Sequence, residues 1–365
     1  MNLSILVRND NSITGVSRCE TELVKRIKNK FKVNVFTSKF YPLPHRVIRY
    51  FNFIFKLMLP RKIRKDKSRI LHLLDQQLAI ILNFLFLKET VIVTVYDMYS
   101  FSYEYKRTYD FVKRIQYFLV NLGLRKVDYF IAISEVVKKQ IIHHLNVPED
   151  RISLMRLGID HQKFKRISVN KREFLKKYDI PTDKKIVLYV GAEKPQKNFE
   201  ALIRAFYEIK KECNDSILIK IGSAQDNVMR DFHIGLIKKL NLGQDIFFTG
   251  FVQEYDLPAF YNIADVFVMP SIDEAGFDLP VVEAMACGCP IIFCDESLNE
   301  TVGNAGILVE NSPEKIADAI FRVTNDKKLK AELEKKSFKQ SKLFNWDDSA
   351  RQLFKIYEQI EKNIN

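Results

Sequence analysis

The amino-acid sequence predicts an α/β protein built from two Rossmann-like, doubly wound domains that face a cleft. Short runs of β-branched and aliphatic residues alternate with longer amphipathic segments along the whole chain. These runs are apolar on both faces, which is typical of strands in a parallel sheet that is covered by helices. The length of 365 residues suits two such domains better than one.

The predicted strands form two series, separated by the charged and strand-free segment 161–185. We therefore predict a first domain over 1–165, a second over 166–345 and a C-terminal helix over 346–365. The cleft between two such domains is the usual place for a ligand. The strand candidates are 3–7, 33–36, 70–74, 91–95 and 128–134 in the first series, and 185–191, 217–222, 246–250, 266–270 and 290–294 in the second.

The composition is globular, with a strong excess of positive charge. A formal net charge of +13 indicates an anionic partner, which could be a nucleic acid, a phosphate-bearing substrate or an acidic membrane surface. The five cysteines are interpreted as reduced thiols, because Cys287-Gly-Cys289 is too closely spaced for a zinc knuckle. No signal peptide and no apolar stretch of about 20 residues is recognised. We expect a cytoplasmic protein that can associate peripherally with the inner face of the membrane.

The segment 187–206, VLYVGAEKPQKNFEALIRAF, predicts an anion site. A strand ends at Gly191, and a helix starts near Asn198. Lys197 would lie at the start of this helix, where free backbone N–H groups already favour an anion. A solvated loop lysine is an equally good interpretation of this segment alone.

The segment 270–292, PSIDEAGFDLPVVEAMACGCPII, carries two glutamates around a turn. Pro280 suits the first turn of a helix, which would hold Glu283, with Glu274 on the preceding loop. Gly276 would let the backbone approach a ligand closely. Helix capping explains an acidic residue near a helix start equally well, but it leaves Glu274 and the Gly-Phe turn unexplained.

Residues 246–310, which contain this segment, resemble the retaining nucleotide-sugar glycosyltransferases of family four, which have the GT-B fold. Weaker similarities follow the order of the family along nearly the whole chain. The resemblance implies a C-terminal domain that binds the donor, and a terminal helix that crosses back to the N-domain. It also implies transfer of a sugar, from a UDP- or GDP-sugar to a glycan or lipid-linked acceptor, with retention of configuration. The weaker similarities are 130–142, 157–164, 187–206 and 344–360.

The resemblance implies roles for individual residues. Glu283 would accept hydrogen bonds from the ribose, and Glu274 would approach the hydroxyls of the donor sugar. Lys197 would neutralise the diphosphate. The remaining donor-binding positions are Gly15 and Gly191 after the first strand of each domain, Val252 near the base, and Gly276, Phe277, Asp278 and Leu279 near the sugar and phosphate.

The spacing of the two glutamates departs from the pattern of the family, which places seven residues between them. Eight residues separate Glu274 from Glu283. Ala275 is therefore either an insertion or the replacement of the first glutamate. The residues PSIDE (270–274) match the segment that leads to the first glutamate in the family, and this match favours an insertion of Ala275.

Two further departures concern charge and proton transfer. Ala192 stands where an arginine is common, which removes one phosphate ligand and leaves more of the charge to Lys197. Tyr96-Asp97 stands where the family often has His-Asp, and a tyrosine can bind a sugar but is a poor base near neutral pH. The candidate catalytic residues are therefore Lys197, Glu274, Tyr96 and Asp97.

The expected chemistry needs positive charge at a departing diphosphate more than it needs a protein nucleophile. Metal-dependent transferases commonly hold a divalent ion with an Asp-X-Asp triplet, and the sequence contains no such triplet. We expect no essential metal and no cofactor besides the nucleotide-sugar substrate.

The segment 46–65, RVIRYFNFIFKLMLPRKIRK, indicates a contact of the acceptor domain with a membrane. Its aromatic and basic residues would suit an anionic bilayer and a lipid-linked acceptor. An ordinary helix packed on the sheet is the alternative. The tyrosine-rich segment 99–111 also has two interpretations. It could form a wall of the acceptor site, or it could be a lid or loop with no role in lipid binding. The residues assigned to the acceptor or membrane side are Arg46, Arg49, Phe53 and Lys56.

Two other classes of protein remain as alternatives to an enzyme. The net charge alone would suit a nucleic-acid-binding protein, but no helix-turn-helix, zinc or RNA-binding signature is present. A catalytically inactive protein that binds a sugar nucleotide would account for Tyr96, Ala192 and the glutamate spacing.

Overall fold

The computed structural model describes residues 3–9, 15–39, 68–84, 87–101, 111–212, 215–224, 227–272 and 275–364. The chain divides into two compact units. The first unit contains Met1–Gly158 and Trp346–Asn365, and the second contains Ile159–Asn345. The sequence-based domain boundaries at 165/166 and 345/346 stay predictions, while the two compact units divide after Gly158 and after Asn345.

The strands and helices of the described residues follow the alternation that the sequence predicts. The strands are β1 (Leu3–Asn9), β2 (Val33–Lys39), β3 (Ile70–Leu73), β4 (Thr90–Val95), β5 (Tyr129–Ala132), β6 (Ile152–Leu154), β7 (Lys185–Val190), β8 (Ser216–Ile221), β9 (Ile246–Gly250), β10 (Val266–Met269), β11 (Ile291–Phe293) and β12 (Gly306–Leu308). The helices are α1 (Gly15–Lys30), α2 (Phe111–Leu124), α3 (Glu135–Leu145), α4 (Lys171–Lys176), α5 (Phe199–Glu212), α6 (Asn227–Lys239), α7 (Leu257–Ile263), α8 (Leu279–Ala286), α9 (Asn299–Val302), α10 (Pro313–Asn325), α11 (Lys327–Ser341) and α12 (Trp346–Ile364).

Each unit contains one parallel sheet, and the described part of each sheet has six strands. The order is β2-β1-β3-β4-β5-β6 in the first unit and β12-β11-β10-β7-β8-β9 in the second. The inner strands are buried because helices cover both faces of such a sheet. The α/β class and the two Rossmann-like domains are therefore confirmed. In each sheet the winding reverses beside the first strand of the unit, and ligands of this fold bind outside the carboxyl ends of the strands at that switch point.

The C-terminal helix α12 belongs to the first unit, where it packs on α1. Arg26 on α1 donates to Asp347 at 2.6 Å, and the phenyl ring of Phe31 lies edge-on to Phe354. The hydroxyl of Tyr357 lies 2.5 Å from Nδ1 of the buried His72. The terminal helix therefore packs into the core of the first unit, as the sequence predicts.

Helix α2 lies on the 3₁₀ helix Gln76–Asn83 and can approach it closely because of one glycine. A Cβ atom at Gly123 would lie 1.9 Å from the carbonyl oxygen of Ala79. The opposite face of α2 is exposed and apolar, with Phe118 exposed to 66%. Within the described ranges, none of the helices combines the length and the apolar character that a membrane span requires.

Candidate functional site

The switch point of the second unit brings together the loops that follow β7 and β10. Strand β7 lies between β8 and β10, so the loops leaving the carboxyl ends of β7 and β10 are neighbours. The backbone N–H of Ile272 donates to the carbonyl of Gln196 at 3.0 Å. The ammonium of Lys197 lies 2.7 Å from the carboxylate of Asp278. The two segments that the sequence singled out therefore form one site.

Lys197 is held in a short turn that positions its side chain toward Asp278. Residues Pro195–Lys197 form a 3₁₀ turn, and Asn198 adopts a left-handed conformation with φ of 45° before α5 begins. Asp278 caps α8, since one of its oxygens accepts from the backbone N–H of Val281 while the other accepts from Lys197. Lys197 therefore does not present its full charge to solvent, because Asp278 compensates it.

A tight turn precedes α8. Ala275 and Gly276 have φ values of 52° and 80°, and such a left-handed conformation is uncommon for a residue with a Cβ atom. The turn is fixed from both sides, because the N–H of Gly276 donates to Ser297 at 3.1 Å and its carbonyl accepts from Thr301 at 2.6 Å. The backbone of this loop is thus preorganised.

The residues around this turn are placed as follows. Phe277 is half-buried, with its ring 5.9 Å from that of Phe344. Leu279 is buried at the start of α8. Glu274 lies outside the described residues, so its role and the status of Ala275 as an insertion stay predictions.

Glu283 lies inside the second unit. Its carboxylate accepts a hydrogen bond from the hydroxyl of Tyr261 at 2.8 Å, and the residue has no exposed surface. Burial and, to a lesser degree, Glu283 raise the pKa of the Cys287 thiol to about 12, which makes that thiol unreactive. The ribose-binding role of Glu283 stays a prediction, and in this structure its carboxylate is shielded from solvent.

Gly191 and Gly222 allow the loops after β7 and β8 to touch. A Cβ atom at Gly222, where φ is 114°, would lie 2.6 Å from the carbonyl oxygen of Gly191. Val252, the predicted contact of the base, is buried just after β9. The adjacent Phe251 is exposed. Gly191 and Val252 thus follow the carboxyl ends of β7 and β9, and their contacts with a donor stay predictions.

A buried ionic cluster lies beside the Lys197 loop, and the sequence analysis missed it. The carboxylate of Glu193 accepts from Lys220 at 2.9 Å, from Nε of Arg230 at 2.9 and 3.0 Å, and from Nδ1 of His233 at 3.1 Å. The side chains of Glu193 and Lys220 have no exposed surface. Burial would raise the pKa of Glu193, but the hydrogen bonds from Arg230, Lys220 and His233 outweigh burial and lower it to about 2. The carboxylate is therefore ionised at neutral pH.

The first unit has a polar cluster at its own switch point, between the ends of β1 and β3. Nη1 of Arg8 lies 2.5 Å from the carboxylate of Asp75. The backbone N–H of Arg8 donates to the buried Glu20 on α1 at 3.1 Å. Gly15, the predicted glycine after the first strand, is the exposed first residue of α1.

Tyr96 and Asp97 follow β4 in the first unit. The backbone N–H of Tyr96 donates to Gln76 at 3.1 Å, while its buried hydroxyl has no hydrogen-bond partner within the described part of the chain. Burial, followed by the neighbouring Cys19 and Glu20, raises the pKa of Tyr96 well above its ordinary value. The carboxylate of Asp97 accepts from the N–H of Tyr99 at 3.1 Å. Tyr96 is thus unsuited to act as a base at neutral pH, as the sequence indicates.

The remaining predicted residues cannot be placed. The acceptor or membrane positions Arg46, Arg49, Phe53 and Lys56 lie outside the described residues, as does most of the segment 99–111. Within the part of the chain that is described, no group of three or more His, Cys, Asp or Glu side chains is arranged to hold a metal ion.

Comparison with solved structures identifies the fold. The fold matches sucrose-phosphate synthase from Thermosynechococcus elongatus with a TM-score of 0.80 at 21% sequence identity, over 99% of both chains. It matches HepE from Anabaena, solved in complex with UDP-glucose, with a TM-score of 0.79 at 16% identity, over 98% of this chain and 100% of that chain. The two Rossmann-like units therefore have the fold of the GT-B glycosyltransferases.

Comparison of sequences identifies the family. Residues 13–163 match the model of Glycosyltransferase Family 4, and residues 170–340 match the model of Glycosyl transferases group 1. O-antigen chain mannosyltransferase B from Escherichia coli is 27% identical over 277 residues, which are 74% of this chain and 70% of that protein. The chain spans 59 to 64% of the length of three further relatives. The chain belongs to the group 1 glycosyltransferases of family four, and the predicted resemblance is confirmed.

Proposed function

We propose that the protein transfers a sugar from a nucleoside-diphosphate sugar to an acceptor hydroxyl, with retention of the anomeric configuration. The observation that carries this proposal is the meeting of the Lys197 and Asp278 loops at the switch point of the second unit. Loop N–H groups, a helix start and a lysine at one switch point suit a phosphate ester better than a neutral ligand. Membership of the family supports a transferase.

The proposed reaction needs little from protein side chains beyond charge and position. The bond between the anomeric carbon and the diphosphate oxygen breaks, and the acceptor oxygen forms a bond on the same face of the sugar. The proton of the acceptor hydroxyl passes to the departing diphosphate. Lys197 would exchange its ion pair with Asp278 for one with the diphosphate, and would thereby neutralise it. The turn at Gly276, which is fixed by Ser297 and Thr301, would face the donor without reorganisation.

The nucleotide is proposed to be UDP or GDP. HepE was solved with UDP-glucose, and the Escherichia coli relative is named a mannosyltransferase. A metal-independent reaction is part of the same proposal, since the sequence contains no Asp-X-Asp triplet. A catalytically inactive protein that binds sugar nucleotides is the second candidate, favoured by the poor basicity of Tyr96.

Calorimetric titration with UDP, GDP and ADP in the presence of EDTA tests the donor site. We expect one of the three to bind, and Lys197→Gln to weaken that binding roughly tenfold or more, the size of one lost charge-assisted hydrogen bond. Lys211→Gln is the matched control, because Lys211 is an exposed lysine of α5 that pairs with Glu208. Absence of binding by all three nucleotides would refute the proposal. Turnover of the matching sugar nucleotide with lipid-linked or glycan acceptors separates the enzyme from the inactive candidate.

The acceptor is proposed to be lipid-linked, with the protein bound to an anionic membrane through helix α2. Ile115, Phe118 and Leu122 are exposed at the spacing of one helix face, and Arg114 and Arg125 are exposed beside them. The sequence from 111 to 126 contains four basic residues and no acidic residue. An exposed apolar helix face with flanking cations suits the surface of an anionic bilayer.

Sedimentation with lipid vesicles tests this surface. We expect binding to phosphatidylcholine vesicles that contain phosphatidylglycerol, and weaker binding to phosphatidylcholine alone. Phe118→Ser should weaken binding about tenfold, since burial of such a side chain contributes roughly 1.5–3 kcal/mol. Phe232→Ser on α6 is the control, because Phe232 is an exposed phenylalanine of the other unit. Equal binding by wild type and Phe118→Ser would exclude α2 as the membrane-facing surface.

A further inference from the structure

The cluster around Glu193 has an excess of positive charge. The ammonium of Lys220 is surrounded by three acceptors, which are Glu193, the carbonyl of Gly222 at 2.6 Å and the carbonyl of Ser223 at 3.5 Å. Burial lowers the pKa of Lys220, and the hydrogen bond and charge of Glu193 oppose this effect. The three acceptors match the three N–H groups of a protonated lysine. Burial lowers the pKa of His233, so this ring is neutral. The single charge of Glu193 is therefore shared by two cations, Lys220 and Arg230, which leaves one net positive charge.

Arg230 is the member of the cluster whose charged side chain is partly exposed to solvent. Its side chain is 24% exposed, whereas those of Glu193, Lys220 and His233 are buried. Its Nε and Nη2 atoms donate to Glu193, and its guanidinium carbon lies 4.4 Å from the centre of the Phe248 ring. Nη1 makes no hydrogen bond with any described residue. Glu193 thus holds one edge of the guanidinium and the Phe248 ring covers one face. The Nη1 group is the donor that remains for a ligand.

The location of Arg230 connects it with the proposed donor site. Glu193 lies on the same loop as Lys197, and Lys220 lies in β8, next to β7 in the sheet. The cluster is therefore tied to the carboxyl ends of these two strands. Ala192, the neighbour of Glu193, carries no charge where the family pattern has an arginine, and Lys197 is compensated by Asp278. A diphosphate at this switch point needs a further cation.

We propose that Arg230 is this cation, and that its Nη1 group donates to the diphosphate of the donor while Glu193 holds the guanidinium in place. This inference rests on the proposed function. It assigns to α6 a phosphate ligand that stands in for the arginine missing at Ala192. Two parallel N–H bonds to a carboxylate fix an arginine in plane, so the open edge is presented to a ligand without loss of side-chain entropy on binding.

The test compares a nucleoside diphosphate with its nucleoside, namely UDP with uridine and GDP with guanosine, by calorimetry. We expect Arg230→Gln to weaken binding of the diphosphate roughly tenfold or more while binding of the nucleoside changes less than about twofold. Arg230→Lys, which keeps the charge but not the planar fork, should give the same selective loss to a smaller extent. Arg204→Gln is the control, because Arg204 is an exposed arginine on α5 that pairs with Glu200.

The possible results separate this inference from the proposed function. If wild type binds UDP or GDP and both Arg230 variants bind it equally well, Arg230 is not a ligand although the donor site stands. If a variant loses nucleoside and diphosphate in the same proportion, the role of Arg230 is structural and the inference is wrong. If wild type binds neither diphosphate, the proposed function fails and this inference fails with it.

Discussion

Lys197 and Asp278 form an ion pair of 2.7 Å between the two loops of the switch point in the second unit. Asp278 also caps helix α8, so it stabilises the loop and compensates the lysine at the same time. A donor diphosphate would therefore compete with Asp278 for Lys197.

Substitution Asp278→Ser is expected to strengthen binding of the diphosphate. Serine keeps the helix cap, so the free energy of unfolding should change by less than about 1 kcal/mol, while Lys197 loses its competing carboxylate. We expect the dissociation constant for UDP or GDP to fall roughly threefold to tenfold, measured by calorimetry. Asp245→Ser is the control, because Asp245 pairs with Lys210 at the same distance of 2.7 Å at the amino end of β9. Weaker binding by Asp278→Ser would show that the carboxylate itself contacts the ligand.

Substitution Tyr96→Phe is expected to leave the protein as stable as wild type or to stabilise it by about 1 kcal/mol. The buried hydroxyl has no partner within the described ranges, and removal of an unsatisfied polar group relieves its desolvation cost. Urea unfolding followed by fluorescence of Trp346, the single tryptophan and a residue of the first unit, measures the change. A loss of more than 1 kcal/mol would show that the hydroxyl has a partner in the folded protein. If transfer activity falls without loss of stability, the hydroxyl binds substrate.

The stability of the first unit is expected to depend on pH through His72. Burial lowers the pKa of His72 to about 3, so the unfolded chain binds a proton that the folded chain excludes. The contribution is complete above the ordinary pKa of about 6.5 and is lost as the pH falls toward 3. Between about pH 7 and 5, wild type should lose roughly 2 kcal/mol more than His72→Gln, measured by urea unfolding and Trp346 fluorescence.

The control for His72 is His161→Gln in the second unit. His161 is half-buried, and its ring contacts the carbonyl of Phe344 at 2.9 Å. This variant should keep the wild-type dependence of the Trp346 transition on pH. Parallel curves for wild type and His72→Gln would mean that His72 becomes protonated in the folded protein.

Two glycines in helices should respond to alanine in opposite directions. Gly123→Ala places a Cβ atom against the Ala79 carbonyl, so we expect destabilisation of roughly 3 kcal/mol or more. Gly235→Ala meets no atom within 4 Å and should stabilise helix α6 by about 0.5–1 kcal/mol. Thermal unfolding followed by circular dichroism distinguishes the two. Equal melting temperatures would contradict the close packing of α2 on the 3₁₀ helix.

The sheets could be predicted from sequence because burial on both faces produces uninterrupted apolar runs. All ten predicted strands are present, with ends that differ by at most three residues. Strands β6 and β12 were missed because each is a three-residue edge strand. So short a run at the edge of a sheet, with few apolar side chains to bury, leaves no recognisable pattern.

The site was harder to predict because its contacts join residues that are distant in sequence. Glu283 was recognised from its motif, but its burial against Tyr261 depends on how α7 and α8 pack. The Glu193 cluster did leave one signal, which is Lys220 in the middle of the apolar run 217–222. A lysine in a covered strand requires a buried carboxylate, and this requirement could have directed attention to Glu193.

The place of α12 in the first unit has a consequence for synthesis on the ribosome. Tyr357, the partner of His72, is translated only after the entire second unit. The surface of the first unit that α12 covers therefore stays exposed while residues 159–345 are translated and fold. A nascent chain arrested before residue 346 would expose the α1 surface around Phe31 to chaperones. A frameshift within α12 would damage the first unit, although the sheet of that unit is translated before the second unit.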